Sequence, residues 1–219
     1  MNTAKIFLPG DGNFTVQESV KTLRTNLQFC GKDIKVIEIT AYGENEGKTM
    51  VSLQVARSFA ELGKRVLFLD ADMRKSVIAA RNSNAKPTSG LSEILSGLTL
   101  FEDAIWQTDY PTLHVLFSGT FPPNPVELLS STHFKELIED VRDRYDYIIV
   151  DTPPLSAVVD AAVVAAECDG SVVVLGHEHL RYREVEEAIS QLRKSGVRIL
   201  GAVRNKLRKR GYKYYYSAR

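Results

Sequence analysis

Short apolar runs alternate with amphipathic stretches along most of the chain, which predicts a succession of strands and helices. The predicted strands are Ile34–Thr40, Arg65–Asp70, Thr112–Phe117, Tyr145–Asp151, Gly170–Leu175 and Val197–Val203. The predicted helices are Val16–Phe29, Lys48–Leu62, Pro125–Arg144, Ala157–Glu167 and Tyr182–Ser195. Several of the strands are apolar on both faces, as expected where helices cover both sides of a sheet. The pattern therefore predicts an α/β fold with a largely parallel central sheet and helices on both faces.

Charge is unevenly distributed between a long body and a short C-terminal tail. The 219 residues carry a net charge of +1, from 28 basic and 27 acidic side chains. Residues 204–219 contain no acid, and their seven basic side chains are Arg204, Lys206, Arg208, Lys209, Arg210, Lys213 and Arg219. The other 21 basic and 27 acidic side chains give residues 1–203 a charge near −6. We predict one domain over residues 1–203 and a flexible basic tail over residues 204–219.

Cysteine content and hydropathy favour a soluble chain in a reducing compartment. Cys30 and Cys168 are isolated and have no metal-binding spacing. No apolar run approaches the length needed to cross a bilayer. A hydrophobic content of 44% is sufficient for one substantial core.

The segment between the first long strand and the next helix has the composition of a phosphate-binding loop. Residues 40–50 read TAYGENEGKTM and contain Gly47-Lys48-Thr49. In such a loop, backbone N–H groups surround the phosphates, the lysine binds the β- and γ-phosphates, and the hydroxyl binds Mg²⁺. The predicted nucleotide contacts in this loop are Gly43, Glu44, Asn45, Glu46, Gly47, Lys48, Thr49 and Met50.

The loop departs from the common pattern at several positions. Tyr42 stands where the first glycine of G-x-x-x-x-G-K-[ST] is expected, so a chance resemblance is an alternative. Asn45 is tolerable, because Asn adopts left-handed backbone conformations more readily than most residues. Glu44 and Glu46 put negative charge near an anion site, which should weaken nucleotide binding unless their side chains point away.

Two later strands end in carboxylates. Asp70 and Asp72 follow one apolar run, and Asp151 follows another. In an open α/β sheet, ligands bind outside the carboxyl ends of the strands, so these groups and Lys48 should face one crevice. We predict Lys48, Asp70, Asp72 and Asp151 as the catalytic group. The alternative is that the carboxylates only cap the helices that follow them.

Three motifs occur in the order found in one protein family. The segments GENEGKT, LFLDADMRKS and YDYIIVDTPP resemble the Walker A, Walker A′ and Walker B motifs of the bacterial tyrosine kinases, which are P-loop NTPases related to the MinD/ParA ATPases. Glu18–Leu27, Pro122–Leu129 and Gly201–Lys206 resemble further segments of that family. Gly43 replaces the signature lysine of MinD- and ParA-type loops, which disfavours that branch. The family's C-terminal tyrosine cluster is matched by Tyr212, Tyr214, Tyr215 and Tyr216.

The resemblance implies a protein-tyrosine kinase that uses ATP and Mg²⁺ to phosphorylate its own tyrosine cluster, in trans within a ring of copies. A phenol with a pKa of about 10 needs a carboxylate that accepts its proton. We assign Asp70 as that base, with Thr49, Asp72 and Asp151 at the metal, and the reverse roles of Asp70 and Asp72 stay open. Arg74 either stabilises phosphate charge or pairs with a neighbouring acid.

The N-terminal helix, about residues 15–29, is by resemblance an oligomerisation helix. Glu18, Lys21 and Arg24 would form ion pairs between subunits, and Lys21 replaces an expected arginine, which should weaken the ring. The alternative is that Thr15 and Glu18 form a capping box and that these charges are only solvated.

The resemblance also implies partners and a location. We expect a transmembrane adaptor in capsule or exopolysaccharide synthesis, a tyrosine phosphatase, and a cytoplasmic protein held at the inner face of the cell membrane through that adaptor. Asn205 would contact the adenine, unless it is only a residue of a turn. No nucleic acid partner is expected.

Other functions remain open at this point. A MinD/ParA-like ATPase would hydrolyse ATP without labelling the tail, and a non-catalytic scaffold would bind nucleotide only. The basic, aromatic tail is also compatible with a membrane surface or RNA. His177 and His179 resemble a metal pair, but a loop or strand end is the favoured interpretation.

Overall fold

The computed structural model describes residues 2–8, 13–176 and 181–207, and these residues form one mixed sheet with helices on both faces. The strands are β1 (Asn2–Ala4), β2 (Val36–Ala41), β3 (Val66–Asp70), β4 (Trp106–Thr108), β5 (Leu113–Leu116), β6 (Tyr147–Asp151), β7 (Gly170–Leu175) and β8 (Ile199–Arg204). Their order across the sheet is β1-β4-β5-β3-β6-β2-β7-β8. Neighbouring strands are parallel except for the pair β4 and β5. The predicted fold class is confirmed.

One or two α-helices separate each pair of successive strands, except β4 and β5. The helices are α1 (Phe14–Phe29), α2 (Lys48–Ala60), α3 (Leu91–Leu95), α4 (Phe101–Ala104), α5 (Pro125–Leu129), α6 (Thr132–Arg144), α7 (Asp160–Ala165) and α8 (Tyr182–Ser195), with a π-helical turn at Ile78–Asn82. None of the described helices combines the length and apolar character that crossing a membrane requires.

Both faces of the sheet are packed, because the side chains of each strand alternate between them. In β3, Phe68 lies in the same buried cluster as Phe59 of α2. The next side chain, Leu69, lies in the opposite cluster with Phe134 of α6. This double packing explains why the central strands read as continuous apolar runs.

Several predicted elements differ from the observed ones. The helix predicted over Pro125–Arg144 is two helices, because the Ser131 side chain caps α6 at the Phe134 N–H (3.4 Å) and its hydroxyl donates to the Leu128 carbonyl (2.7 Å). The helix predicted over Ala157–Glu167 is only Asp160–Ala165. Two three-residue strands, β1 and β4, and the short helices α3 and α4 were not predicted.

The predicted capping box at Thr15 and Glu18 is wrong. The Asn13 side chain caps α1 and accepts hydrogen bonds from the N–H groups of Thr15 (3.1 Å) and Val16 (3.4 Å). The helix begins at Phe14, so Thr15 already lies inside it. Glu18 pairs with Lys21 at 2.8 Å.

Candidate active site

Three neighbouring parallel strands bring the predicted site residues to one edge of the sheet. β6 lies between β3 and β2, and Asp70 and Asp151 are directly opposite each other in the register of β3 and β6. The phosphate loop follows β2 and leads into α2, whose first residue is Lys48. The crevice predicted from the sequence therefore lies at the carboxyl ends of β2, β3 and β6.

The backbone of the loop has the shape that phosphate binding requires. Gly47 has a φ of 87° and is the N-cap of α2, and as a glycine it has no side chain to bind the first N–H groups of that helix. These groups can therefore bind an anion. Asn45 has a φ of 59°, which confirms the left-handed conformation expected from its sequence position.

Lys48 lies between two carboxylates. Its Nζ is 3.5 Å from Asp72 Oδ2 and 3.8 Å from Asp151 Oδ2. Burial works against the charged ammonium, but the carboxylates of Asp151, Asp72 and Asp70 outweigh burial and raise the pKa of Lys48. The site therefore carries a positive charge at neutral pH where phosphate oxygens are expected.

Asp151 is held by two hydroxyls of α2. Thr49 Oγ1 donates to Oδ2 (2.7 Å), and Ser52 Oγ donates to Oδ1 (3.0 Å). Burial raises the pKa of Asp151, while the charge of Lys48 and the two hydroxyl bonds oppose that shift. Ser52 is not among the residues predicted from the sequence, although a small polar residue one turn after Lys48 in an apolar helix is a usable signal.

Asp70 and Asp72 differ in exposure. Asp70 has no exposed surface, and its oxygens accept hydrogen bonds from the Asp72 N–H (3.2 Å) and from the Ser76 hydroxyl. Burial and the charge of Asp151 raise the pKa of Asp70 to about 7. Asp72 Oδ1 accepts hydrogen bonds from the N–H groups of Arg74 (3.3 Å) and Lys75 (2.9 Å), and Oδ2 faces Lys48. Both carboxylates are buried, and of the two it is Asp72 that contacts Lys48 directly.

The two glutamates of the loop are both held by partners. Glu44 pairs with Lys75 at 3.2 Å on the surface. Glu46 is buried, and its carboxylate accepts hydrogen bonds from the N–H groups of Gly43 (2.9 Å) and Gly176 (3.1 Å). The carboxylate of Glu44 is therefore bound by Lys75, and that of Glu46 by two backbone N–H groups.

Three further residues have partners within the described chain. Arg74 binds Asp160 through two hydrogen bonds of 2.8 and 3.0 Å, so the structure favours the ion-pair alternative over a phosphate contact. Asn205 Nδ2 donates to the Glu46 carbonyl at 2.9 Å. The Tyr42 hydroxyl donates to Glu187 of α8 at 2.7 Å.

The donor set fits Mg²⁺. The described residues contain no group of three or more His, Cys, Asp or Glu side chains that could hold a metal unaided. Mg²⁺ is usually bound by one or two carboxylates together with substrate phosphates and water. Thr49, Asp72 and Asp151 offer oxygen ligands of that kind beside Lys48.

The predicted interface residues lie on α1. Glu18 and Lys21 pair on the surface, whereas Arg24 donates to the carbonyl (2.9 Å) and hydroxyl (3.0 Å) of Ser58 in α2 of its own chain. The predicted phosphoacceptors Tyr212, Tyr214, Tyr215 and Tyr216, and the histidines His177 and His179, lie outside the described residues.

Comparison with known proteins gives a consistent result. A protein-family model described as an AAA domain matches residues 34–200. The tyrosine-protein kinase CpsD of Streptococcus agalactiae is 41% identical over 191 residues, which cover 87% of this chain and 83% of CpsD.

Two solved structures have the same fold over most of their length. The chimerical protein CapA2B2 matches with a TM-score of 0.87 and 29% identity, over 95% of each chain. The kinase domain of the Escherichia coli tyrosine kinase ETK matches with a TM-score of 0.84 and 35% identity, over 93% of this chain and 80% of that one.

Proposed function

The chain belongs to the family of bacterial protein-tyrosine kinases, and we propose from this premise that it transfers the γ-phosphoryl group of ATP to tyrosines of its own C-terminal cluster. The observation that carries this proposal is the convergence of Lys48, Asp72 and Asp151 beside an open helix N-terminus. The acceptors are Tyr212, Tyr214, Tyr215 and Tyr216, and the transfer occurs between copies.

The phosphate loop and Lys48 bind and orient the triphosphate. The first N–H groups of α2 donate to phosphate oxygens, and the Lys48 ammonium neutralises charge on the β- and γ-phosphates. The raised pKa of Lys48 keeps this group charged over the physiological pH range. Asn205 binds the adenine from the end of β8.

Thr49 and Asp151 would hold Mg²⁺, together with the carboxylate of the Asp70–Asp72 pair that does not act as the base. When bound, the ion would neutralise charge on the β- and γ-phosphate oxygens. The hydrogen bonds from Thr49 (2.7 Å) and Ser52 (3.0 Å) orient the Asp151 carboxylate for this role.

The Asp70–Asp72 pair supplies the base. About one phenol in a thousand is ionised at neutral pH, so a carboxylate that accepts the proton accelerates the transfer. Asp70 was assigned to this role from the sequence, and Asp72 is the carboxylate that contacts Lys48 directly. The contact of Asp72 with Lys48 thus supports the reverse assignment, in which Asp72 accepts the proton and Asp70 takes the place of Asp72 at the metal.

The kinase works as an assembly at the membrane. A tail with seven basic residues is attracted to the acidic body of a neighbouring copy, whose charge is near −6. Glu18, Lys21 and Arg24 of α1 contribute to the contact between copies. A transmembrane adaptor recruits the assembly to capsule or exopolysaccharide synthesis, and a tyrosine phosphatase reverses the modification.

One experiment tests this function. The purified chain is incubated with labelled ATP and Mg²⁺, alone and with the cytoplasmic segment of the adaptor, and phosphorylated peptides are mapped by mass spectrometry. We expect label on Tyr212, Tyr214, Tyr215 and Tyr216, and loss of at least 90% of it in the Lys48→Met variant, because one charge at a phosphoryl-transfer site contributes several kcal/mol. ATP hydrolysis without labelled tyrosine under both conditions would instead indicate a MinD/ParA-like ATPase.

A further inference from the structure

Glu46 is a buried carboxylate in the middle of the phosphate loop, and both of its oxygens are bound to backbone N–H groups. It is 3% exposed. Oε1 accepts the Gly43 N–H at 2.9 Å, which closes a four-residue turn around the left-handed Asn45. Oε2 accepts the Gly176 N–H at 3.1 Å, directly after β7.

The backbone of Glu46 is held as tightly as its side chain. Its carbonyl accepts Asn205 Nδ2 at 2.9 Å, directly after β8. A Cβ on Gly176 would lie 2.4 Å from the Glu46 carbonyl oxygen, and a Cβ on Gly47 would lie 2.2 Å from Asn205 Nδ2. Close packing therefore fixes the loop against the ends of both strands.

The negative charge of Glu46 and the hydrogen bonds of its side chain predict opposite effects on nucleotide binding. A carboxylate near a triphosphate repels it, so a simple charge effect would weaken nucleotide binding. Hydrogen bonds that form the loop before the ligand arrives reduce the ordering cost and would strengthen binding. Both Glu46 oxygens make charge-assisted bonds to backbone N–H groups, which are about twice as strong as neutral ones.

We propose that Glu46 is a positioning residue, which fixes the phosphate loop to the ends of β7 and β8 in its nucleotide-binding shape. The proposal rests on the proposed function for the identity of the ligand. In this role the Glu46 side chain acts on the nucleotide through the backbone that it holds at Gly43 and Gly176.

The test compares Glu46→Gln with two matched variants. Gln keeps the size of the side chain but presents an N–H group to one of the two backbone donors. Gly176→Ala disturbs the same contacts and leaves the charge unchanged. Glu61→Gln is the charge-matched control, because Glu61 follows the other end of α2, about 20 Å away.

Two measurements are made on each full-length protein. Hydrogen exchange of the Gly43 and Gly176 amides, without nucleotide, reports the contacts directly. Titration calorimetry with ATP and Mg²⁺ reports affinity. We expect at least tenfold faster exchange of both amides in Glu46→Gln, and roughly tenfold weaker ATP binding in both Glu46→Gln and Gly176→Ala, with Glu61→Gln unchanged.

Unchanged exchange of the two amides in Glu46→Gln would overturn the positioning role. ATP binding equal to or tighter than that of wild type would also overturn it, because that result matches a simple charge effect or no effect of Glu46. A wild-type chain that binds no ATP would contradict both this role and the proposed function. If wild type binds ATP and Glu46→Gln binds it with the same affinity, only the positioning role is contradicted.

Discussion

At the scale of single residues, Glu38 is a carboxyl group without exposed surface in the central strand β2. It accepts hydrogen bonds from the hydroxyls of Thr152 (3.1 Å) and Ser171 (2.6 Å) on the two neighbouring chain segments. Burial raises its pKa from 4.5 to about 8, although both hydroxyl bonds oppose the shift. We therefore predict that Glu38 is protonated in the folded protein at neutral pH.

This protonation makes stability depend on pH. The folded-state pKa is raised, so the contribution of Glu38 is fully present below about pH 4.5 and is lost as the pH rises through about 8. In that window the unfolded chain releases a proton that the folded chain retains, which lowers the free energy of unfolding by about 1.4 kcal/mol per pH unit. Glu38→Gln has no proton to release on unfolding. The free energy of unfolding of this variant, minus that of wild type, should therefore increase between pH 5.5 and pH 7.5.

Urea unfolding of wild type and Glu38→Gln, at pH 5.5 and at pH 7.5, measures the difference in the free energy of unfolding between the two proteins. Other buried carboxyls, including Asp70 with a pKa near 7, contribute equally to both proteins and cancel in the comparison. A stability difference that stays constant between the two pH values would mean that Glu38 is ionised in the fold.

Residues that act through a local pattern could be predicted, and residues that act across strands could not. Lys48, Asp72 and Asn45 belong to contiguous motifs whose backbone geometry follows from their order. The partners of Asp160 and Glu38 are 86 and at least 114 residues away along the chain. No periodicity or motif in the sequence relates residues that are so far apart, so these contacts are seen only in the structure.

At the scale of elements, the start of α1 distinguishes two capping schemes. The sequence predicted Thr15 as the cap, whereas the structure has Asn13 in that position. We predict that Asn13→Ala costs about 1 kcal/mol, because two N–H groups lose their side-chain acceptor. For a chain of this size, that change lowers Tm by about 2–4 °C.

Thermal unfolding of Asn13→Ala and Thr15→Ala, followed by circular dichroism, checks this cap. Thr15→Ala should change Tm by less than about 1 °C, because surface substitutions away from caps cost little. A larger loss in Thr15→Ala than in Asn13→Ala would support the capping box instead.

The longer strands could be predicted from the sequence, and the shortest ones could not. The buried strands β2, β3, β6 and β7 have five or six residues, and each was predicted to within a few residues of its observed ends. β1 and β4 have three residues each, too few for an alternation of apolar and polar positions. The break between α5 and α6 depends on local hydroxyl bonds of Ser131, which an apolar period over the whole stretch conceals.

At the scale of the whole molecule, the site and the predicted acceptors belong to different parts of the chain. The crevice is formed by the central strands, and β8 ends at Arg204, where the basic tail begins. Asn205, the next residue, contacts the phosphate loop through the Glu46 carbonyl. Asn205 thus lies beside the phosphate loop of its own chain. The predicted tail, residues 204–219, has a charge opposite to that of residues 1–203.

The proposed kinase phosphorylates the tyrosines of another copy, and a mixing experiment separates this transfer from transfer within one chain. The Lys48→Met chain, with all four tail tyrosines, is mixed with a donor in which Tyr212, Tyr214, Tyr215 and Tyr216 are changed to Phe. After incubation with labelled ATP, Mg²⁺ and the adaptor segment, phosphopeptides are mapped. We predict phosphate on the tail of the Lys48→Met chain in the mixture and none when that chain is alone. An unlabelled Lys48→Met tail in this mixture, under conditions in which a separate sample of wild-type protein labels itself, would contradict transfer between copies.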